Sequence, residues 1–210
     1  LYTVFEIGDG PNDLQSYEVL PLQAESLDLF VSNLCFHWIN DLPGALSQVR
    51  RALKPDGLMI VTLLGGETLA NLHKAFLQAD SERSSGVSPR VSPRLGLQEA
   101  AGLLQRAGFA LPVADSQTFE VSYSDPLSLM KDLRGMGETN ALESRLKSFT
   151  RRDTMMRAAE LYSELEPAED GRCLARFEMI TLTGWAPHES QQKPLRPGQG
   201  QVSLVDFLKT

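Results

Sequence analysis

Between Leu27 and Leu64 the chain spells a buried strand, an amphipathic helix and a second buried strand, joined by short connections. Leu27–Asn33 (LDLFVSN) is apolar at nearly every other position and between, the pattern of a strand buried on both faces. Leu42, Ala45, Leu46, Val49 and Leu53 follow helical spacing, and Pro43 suits a first helical turn. Lys54-Pro55-Asp56-Gly57 predicts a stop and a turn into a second strand, Leu58–Leu64. Strand, helix and strand so closely linked imply a right-handed parallel crossover. Open α/β sheets bind ligands at the carboxyl ends of their strands, so the turn Ser32–Trp38 is the first place to look for a site.

Several classes are disfavoured by composition. A formal net charge of −7 with no basic face argues against nucleic acid as a partner. The pairs Arg50-Arg51 and Arg151-Arg152 read as solvated helix faces. No apolar run approaches the ~20 residues that cross a bilayer, so membrane association is expected to be peripheral at most. Cys35 and Cys173 make no disulfide framework and fit a reducing compartment. Apolar residues form 42% of 210, enough for one sizeable core.

Beyond Leu64, Gly65-Gly66 is expected to open a helix bearing Leu69, Leu72, His73 and Phe76 on one face. Ser84–Leu95, rich in Ser, Pro and Arg, reads as a loop long enough to cover a site. A helix through Leu97, Ala100, Ala101 and Leu104 ends at Gly108, and Leu111–Tyr123 is extended. Asp125-Pro126 starts another helix, which runs into the glycine-punctuated Arg134–Asn140. Thr150-x-x-Asp153 predicts a capping box before Met155, Ala158, Ala159 and Tyr162. Cys173–Trp185 is a final strand, and Pro187–Gly200 a surface arm.

The chemistry-bearing patterns are sparse. Glu6-Ile7-Gly8-Asp9-Gly10 has the residues of an acidic-x-Gly-x-Gly loop, but Asp28 follows Gly10 by only 18 residues. Two strand–helix–strand units of roughly 30 residues each would put it roughly 60 residues on, so a plain turn is expected. In Ser32–Trp38, Asn33 can donate to and accept from a ligand while Trp38 supplies an apolar wall; equally, Asn33 can end the strand with His37-Trp38 packed as core. His37, His73 and His188 are too scattered for metal-ligand spacing, and no metal is expected. A nucleophile elbow Gly-x-Ser-x-Gly is missing. Gly135-x-Gly137 is either a close backbone approach to a ligand or a helix end.

Leu20-Pro21-Leu22, Leu27–Asn33, His37–Leu42 and Leu53–Gly57 together resemble the central part of class I S-adenosylmethionine-dependent methyltransferases. Gly65–Leu69, Gly135–Asn140 (GMGETN), Arg152–Met155 and Trp185-x-x-His188-Glu189-Ser190-Gln191 narrow the resemblance. They are similar to a methyltransferase-like family of assembly factors for mitochondrial respiratory complex I, described as arginine hydroxylases of a complex I subunit. Malonyl-carrier-protein O-methyltransferases share the layout. The resemblance implies a doubly wound α/β fold, a mostly parallel sheet with an antiparallel C-terminal edge hairpin. It also implies S-adenosylmethionine as cofactor, complex I subunits as partners and a place on the matrix face of the inner mitochondrial membrane.

By position, Ser32, Asn33, Leu34, His37 and Trp38 would line the cofactor, and Gly65, Gly66, Gly135, Gly137 and Asn140 would lie on the substrate side. The family's first glycine-rich loop and its ribose-gripping carboxylate find no counterpart, and Ser16 stands where the family has aspartate near the adenine. The expectation is therefore an N-terminally incomplete chain lacking the first half of the sheet, with weak or absent cofactor binding. Residues 1–16 would be irregular, 17–186 a partial methyltransferase-like domain and 187–210 an arm. The competing readings are an active carrier-protein O-methyltransferase and a non-catalytic protein-binding module. Hydroxylation ordinarily uses iron or flavin, and the sequence shows no facial triad or dinucleotide loop in its usual context.

Overall fold

The structure is a computed structural model that describes residues 18–83, 87–91 and 94–193. The expectations for the Gly8/Gly10 turn, Ser16 and the arm beyond residue 193 fall outside these residues. Four strands form one sheet in the order β1-β2-β4-β3: β1 (Leu27–Asn33), β2 (Leu53–Leu64), β3 (Ala110–Tyr123) and β4 (Cys173–Trp185). β1 and β2 run parallel around the crossover helix α1 (Leu42–Ala52). β4 inserts antiparallel between β2 and β3, which among the described residues leaves β3 as one edge and β1 as the other. The parallel character of the described sheet thus rests on the Leu27–Leu64 unit alone.

Local chemistry explains where α1 begins. The Asp41 carboxylate accepts from the Gly44 amide at 2.9 Å, satisfying one of the free N–H groups of the first turn. Glu18 holds the approach, accepting from the amide and side chain of Asn40 and from the Asp41 amide. The expected turn after α1 takes the form of a bulge inside β2: the helix ends at Ala52, the register passes from Leu27 opposite Leu53 to Leu29 opposite Leu58, and Asp56 sits at φ 65. Leu53 pairs with Leu27, so the ladder begins before Pro55.

α2 (Ala70–Arg83) starts one turn later than Gly65-Gly66 suggested. α3 (Leu97–Arg106), α4 (Pro126–Gly135) and α5 (Arg152–Leu165) follow. Asp125 caps α4 by accepting from the Leu127 and Ser128 amides. The capping box expected at α5 does not form. Arg151 is the residue before the helix, Asp153 accepts from the Thr154 amide, and the Thr150 hydroxyl is taken by Arg90.

Two cores result. One packs α1 and α3 on the sheet face that carries Met59, Val61, Leu63, Ile180 and Leu182, with Phe109 and Leu46 between. Gly184 lies in this layer because a β-carbon there would sit 2.9 Å from Phe109. The other gathers α2, α4 and α5 around Cys173 and Ala175, at the start of β4. Tyr162 is its largest buried side chain, and its hydroxyl donates to the Leu174 carbonyl at 2.7 Å.

The opposite face of the sheet, over β1 and β2, has no such cover among the described residues. Register places Val31, Ile60, Thr183 and Val113 in one row, with Leu29, Leu58 and Trp185 in the next. None of these is buried, and Leu29 and Val31 are 52% and 60% exposed. The expectation of a strand buried on both faces fails for β1, which among the described residues has neither a second neighbour nor a helix on that side.

Candidate active site

The site lies past the carboxyl ends of β1 and β2, and a single threonine shapes its entrance. Thr62, across from Asn33 in the ladder, donates its hydroxyl to the Asn33 carboxamide oxygen. The Leu34 amide is shared by the Thr62 carbonyl at 3.0 Å and the Thr62 hydroxyl at 3.1 Å. Leu34 is left at φ 53, a left-handed conformation that costs a non-glycine residue about 1–2 kcal/mol. That kink ends the strand and starts a short 3-10 turn, Phe36–Trp38. Phe36 anchors the turn edge-on to Phe30, with ring centroids 5.8 Å apart, while the His37 and Trp38 rings lie 5.3 Å apart.

His37 meets Glu138, which comes from 101 residues away. Its Nε2 lies 2.9 Å from Glu138 Oε1, and Arg94 Nη2 reaches Glu138 Oε2 at 3.3 Å. The end of α4 places Glu138. Gly137, at φ 81, lets its own amide donate back to the Arg134 carbonyl and the Glu138 amide donate to the Leu133 carbonyl. Gly137 is thus the glycine of a helix stop. Its contribution to the site is to fix the carboxylate that follows.

Burial tends to raise the Glu138 pKa, but the bond to His37 and the charges of His37 and Arg94 outweigh it and hold the carboxyl below its ordinary value. A second ion pair sits alongside. Arg90 clamps buried Asp80 through Nε at 2.9 Å and Nη2 at 2.7 Å, gives Nη1 to Thr150, and lies 5.0 Å over the Phe76 ring. Asn140 ties the segment after α4 to the loop, donating to the Pro89 carbonyl at 2.8 Å. Together these groups enclose a cavity of about 220 Å³ walled by Trp38, Phe76, Met130 and Met155, with His37, Arg94 and Glu138 at its polar side. A second cavity, of about 530 Å³, lies beyond Val91 and Arg94 and is bordered by Gly66, Thr68 and His73.

Of the residues singled out in the sequence, His37, Trp38 and Asn140 come together at the first cavity. Ser32, Asn33 and Leu34 stay at the strand end, with Asn33 and Leu34 committed to Thr62. Gly65 does not face an opening: a β-carbon there would overlap the buried Glu178 carboxylate, which accepts from Ser116 and from the Glu67 amide. Gly66 bonds the Leu95 carbonyl and borders the second cavity, and Gly135 is exposed on α4. The sequence reading missed Arg90, Arg94 and Asp80 and did not single out Glu138. The repeated Ser-Pro-Arg of the loop was the one available signal, since buried arginines need carboxylate partners.

The comparisons agree with this architecture. A methyltransferase of Bacillus halodurans, known from its crystal structure, superposes with a TM-score of 0.51 over 82% of this chain and 75% of its own, at 15% identity. A family profile described as a methyltransferase domain matches residues 11–61. The fold is class I methyltransferase-like. In sequence, the mitochondrial arginine hydroxylase NDUFAF5 of Danio rerio is 43% identical over 192 residues, 91% of this chain and 60% of that protein. Its Homo sapiens counterpart is 42% identical over 196 residues, 93% of this chain and 56% of that protein. A malonyl-[acyl-carrier protein] O-methyltransferase of Xylella fastidiosa is more distant, at 38% over 168 residues, 80% of this chain and 55% of its own length. The chain therefore spans about 60% of the length of the arginine-hydroxylase relatives it matches, and those relatives are named mitochondrial.

The methyltransferase fold implies S-adenosylmethionine, and the described residues do not fit it by themselves. The Asn33 oxygen and the Leu34 amide, polar groups at the strand end that could orient such a ligand, are already bonded to Thr62. β1 is a sheet edge, so among the described residues no neighbouring strand brings a carboxylate to the ribose position.

Proposed function

We propose that this protein acts as an arginine hydroxylase of the methyltransferase-like kind in the assembly of mitochondrial respiratory complex I, with a complex I subunit as its target. The observation that carries the reading is 40–43% identity to arginine hydroxylases along about nine-tenths of the chain. The organised carboxylate–imidazole–guanidinium group beside an apolar-walled cavity supports it, since such a cavity can seat a side chain and manage its protons. The functional unit is taken as residues 17–186, with 187–210 as an arm; its described part is held by Gln191, which donates to Asp56 and to the Ala186 carbonyl. Work on the matrix face of the inner membrane follows from the same reading, and among the described residues no helix is long and apolar enough to cross a membrane.

The test is a chimaera. This chain replaces the matching segment of the Danio rerio relative, in cells that lack their own copy. Complex I is expected to assemble on native gels, and mass spectrometry is expected to find one added oxygen on an arginine of a subunit. Methyl transfer to a malonyl thioester without that oxygen would overturn the reading in favour of the carrier-protein enzyme. Complex I assembly without hydroxylation would favour a non-catalytic binding role. For the 210-residue chain alone, titration calorimetry with S-adenosylmethionine is expected to show no low-micromolar isotherm, because the half-site leaves few free polar groups to orient a ligand. A clear isotherm in that range would refute this expectation.

A further inference from the structure

The arrangement around His37 leaves two buried polar atoms without a partner among the described residues, Nδ1 of His37 and Nε of Arg94; only the first can accept a proton. The His37 side chain is only 6% exposed and forms part of the wall of the 220 Å³ cavity. Its Nε2 is engaged by Glu138, while Nδ1 is buried and has no hydrogen-bond partner among the described residues. Leaving a buried polar atom unpaired costs about 1–3 kcal/mol, so such an atom calls for an explanation. Glu138, held ionised by its partners, can only accept, which puts the shared proton on Nε2. The neutral imidazole then carries its lone pair on Nδ1. Arg94 fixes the far oxygen of the same carboxylate, so the carboxylate cannot swing away without breaking two bonds.

We propose that His37 is the proton acceptor of this cavity, acting through Nδ1, with Glu138 and Arg94 as positioning residues that set its tautomer and stabilise the imidazolium. An N–H or O–H of the bound ligand gives its proton to Nδ1 and keeps the bonding electron pair. The imidazolium formed retains its Nε2–H on the Glu138 carboxylate. The charged groups that line the same cavity are Glu138 and Arg134 at the end of α4, and Arg90 and Arg94 from the loop, with Arg90 paired to Asp80 of α2. Glu138 is the carboxylate on the ring, and it stabilises the imidazolium that proton transfer forms. The inference rests on the proposed function only in treating this cavity as the reaction site.

Two measurements decide it. In the 210-residue chain, two-bond ¹⁵N–¹H correlation is expected to show His37 as the Nε2–H tautomer. E138Q is expected to let the second tautomer appear, because a carboxamide can donate to the ring as well as accept from it. An Nδ1–H tautomer in the unmutated chain, or a tautomer balance unmoved by E138Q, overturns the proposal. In the chimaera, H37Q keeps a donor toward Glu138 but has no proton acceptor at the Nδ1 position. It is expected to lower arginine hydroxylation by about 100-fold or more and to abolish the rise in rate through the imidazole range, with Tm unchanged. An unchanged rate and pH profile in H37Q overturns it. Failure of the unmutated chimaera to hydroxylate counts against the function proposed above, while the tautomer still decides the role of His37.

Discussion

The two faces of the sheet are built from similar residues and have opposite fates. On one, Met59, Val61, Leu63, Ile180 and Leu182 are sealed under α1 and α3. On the other, Ile60 of β2, one residue out of phase with Met59 and Val61, and its row mates Val31 of β1 and Val113 of β3, with Leu29 in the next row, stay in contact with solvent. Alternation assigns a residue to a face, but burial depends on whether another layer arrives. The covered face therefore supplies stability, while the other shows apolar sequence without its energetic return.

The sharpest way to break this contrast is a pair of truncations. Leu182→Ala is expected to cost about 2–5 kcal/mol in urea unfolding, because it removes buried methyl groups from a layer that cannot collapse to fill the gap. Val31→Thr, on the open face, is expected to change stability by less than about 0.5 kcal/mol. Equal losses at the two positions would mean that the open face is covered in solution. Gly184→Ala tests the sealed layer from the other side. The added methyl meets Phe109, and overpacking of this sort costs about 1–3 kcal/mol.

A smaller effect separates the site from both faces. Gly137→Ala places a side chain at φ 81 and is expected to cost about 1–2 kcal/mol. It should also loosen Glu138 from His37, visible as a moved His37 ring resonance. The pH dependence of stability is the mildest probe. Because the folded Glu138 carboxyl titrates below its unfolded value, its contribution is present above that value and fades as pH falls through the folded one. Stability should thus decline below about pH 5 more steeply in the unmutated chain than in E138Q. A parallel decline in both would show that the His37–Glu138–Arg94 group adds no pH-linked stability. Glu18 and Asp125 are depressed too and decline in both proteins alike.

Reading the residues alone located most elements. Leu27–Asn33, the α1 stripe, Cys173–Trp185 and the proline-started helix at Asp125 all formed close to their expected bounds, since periodicity and caps are local signals. The capping box at Thr150 failed for a non-local reason: Arg90, 60 residues away, took the hydroxyl. The candidate site divided in the same way. His37-Trp38 was legible because a polar-aromatic turn at the end of a buried strand is unusual. Glu138 passed for part of a helix-stop motif, and Arg90 and Arg94 for a solvated loop.

By itself, then, the sequence determined the crossover unit, the helix stops and the likeness to arginine hydroxylases, all carried by neighbours within a few turns of chain. Only the tertiary structure decided which apolar face is sealed and which carboxylate His37 meets. The physical reason is the same in both cases. Burial and ion pairing are properties of groups that converge from distant positions, such as Arg94, Glu138 and His37, and local spacing does not record that convergence.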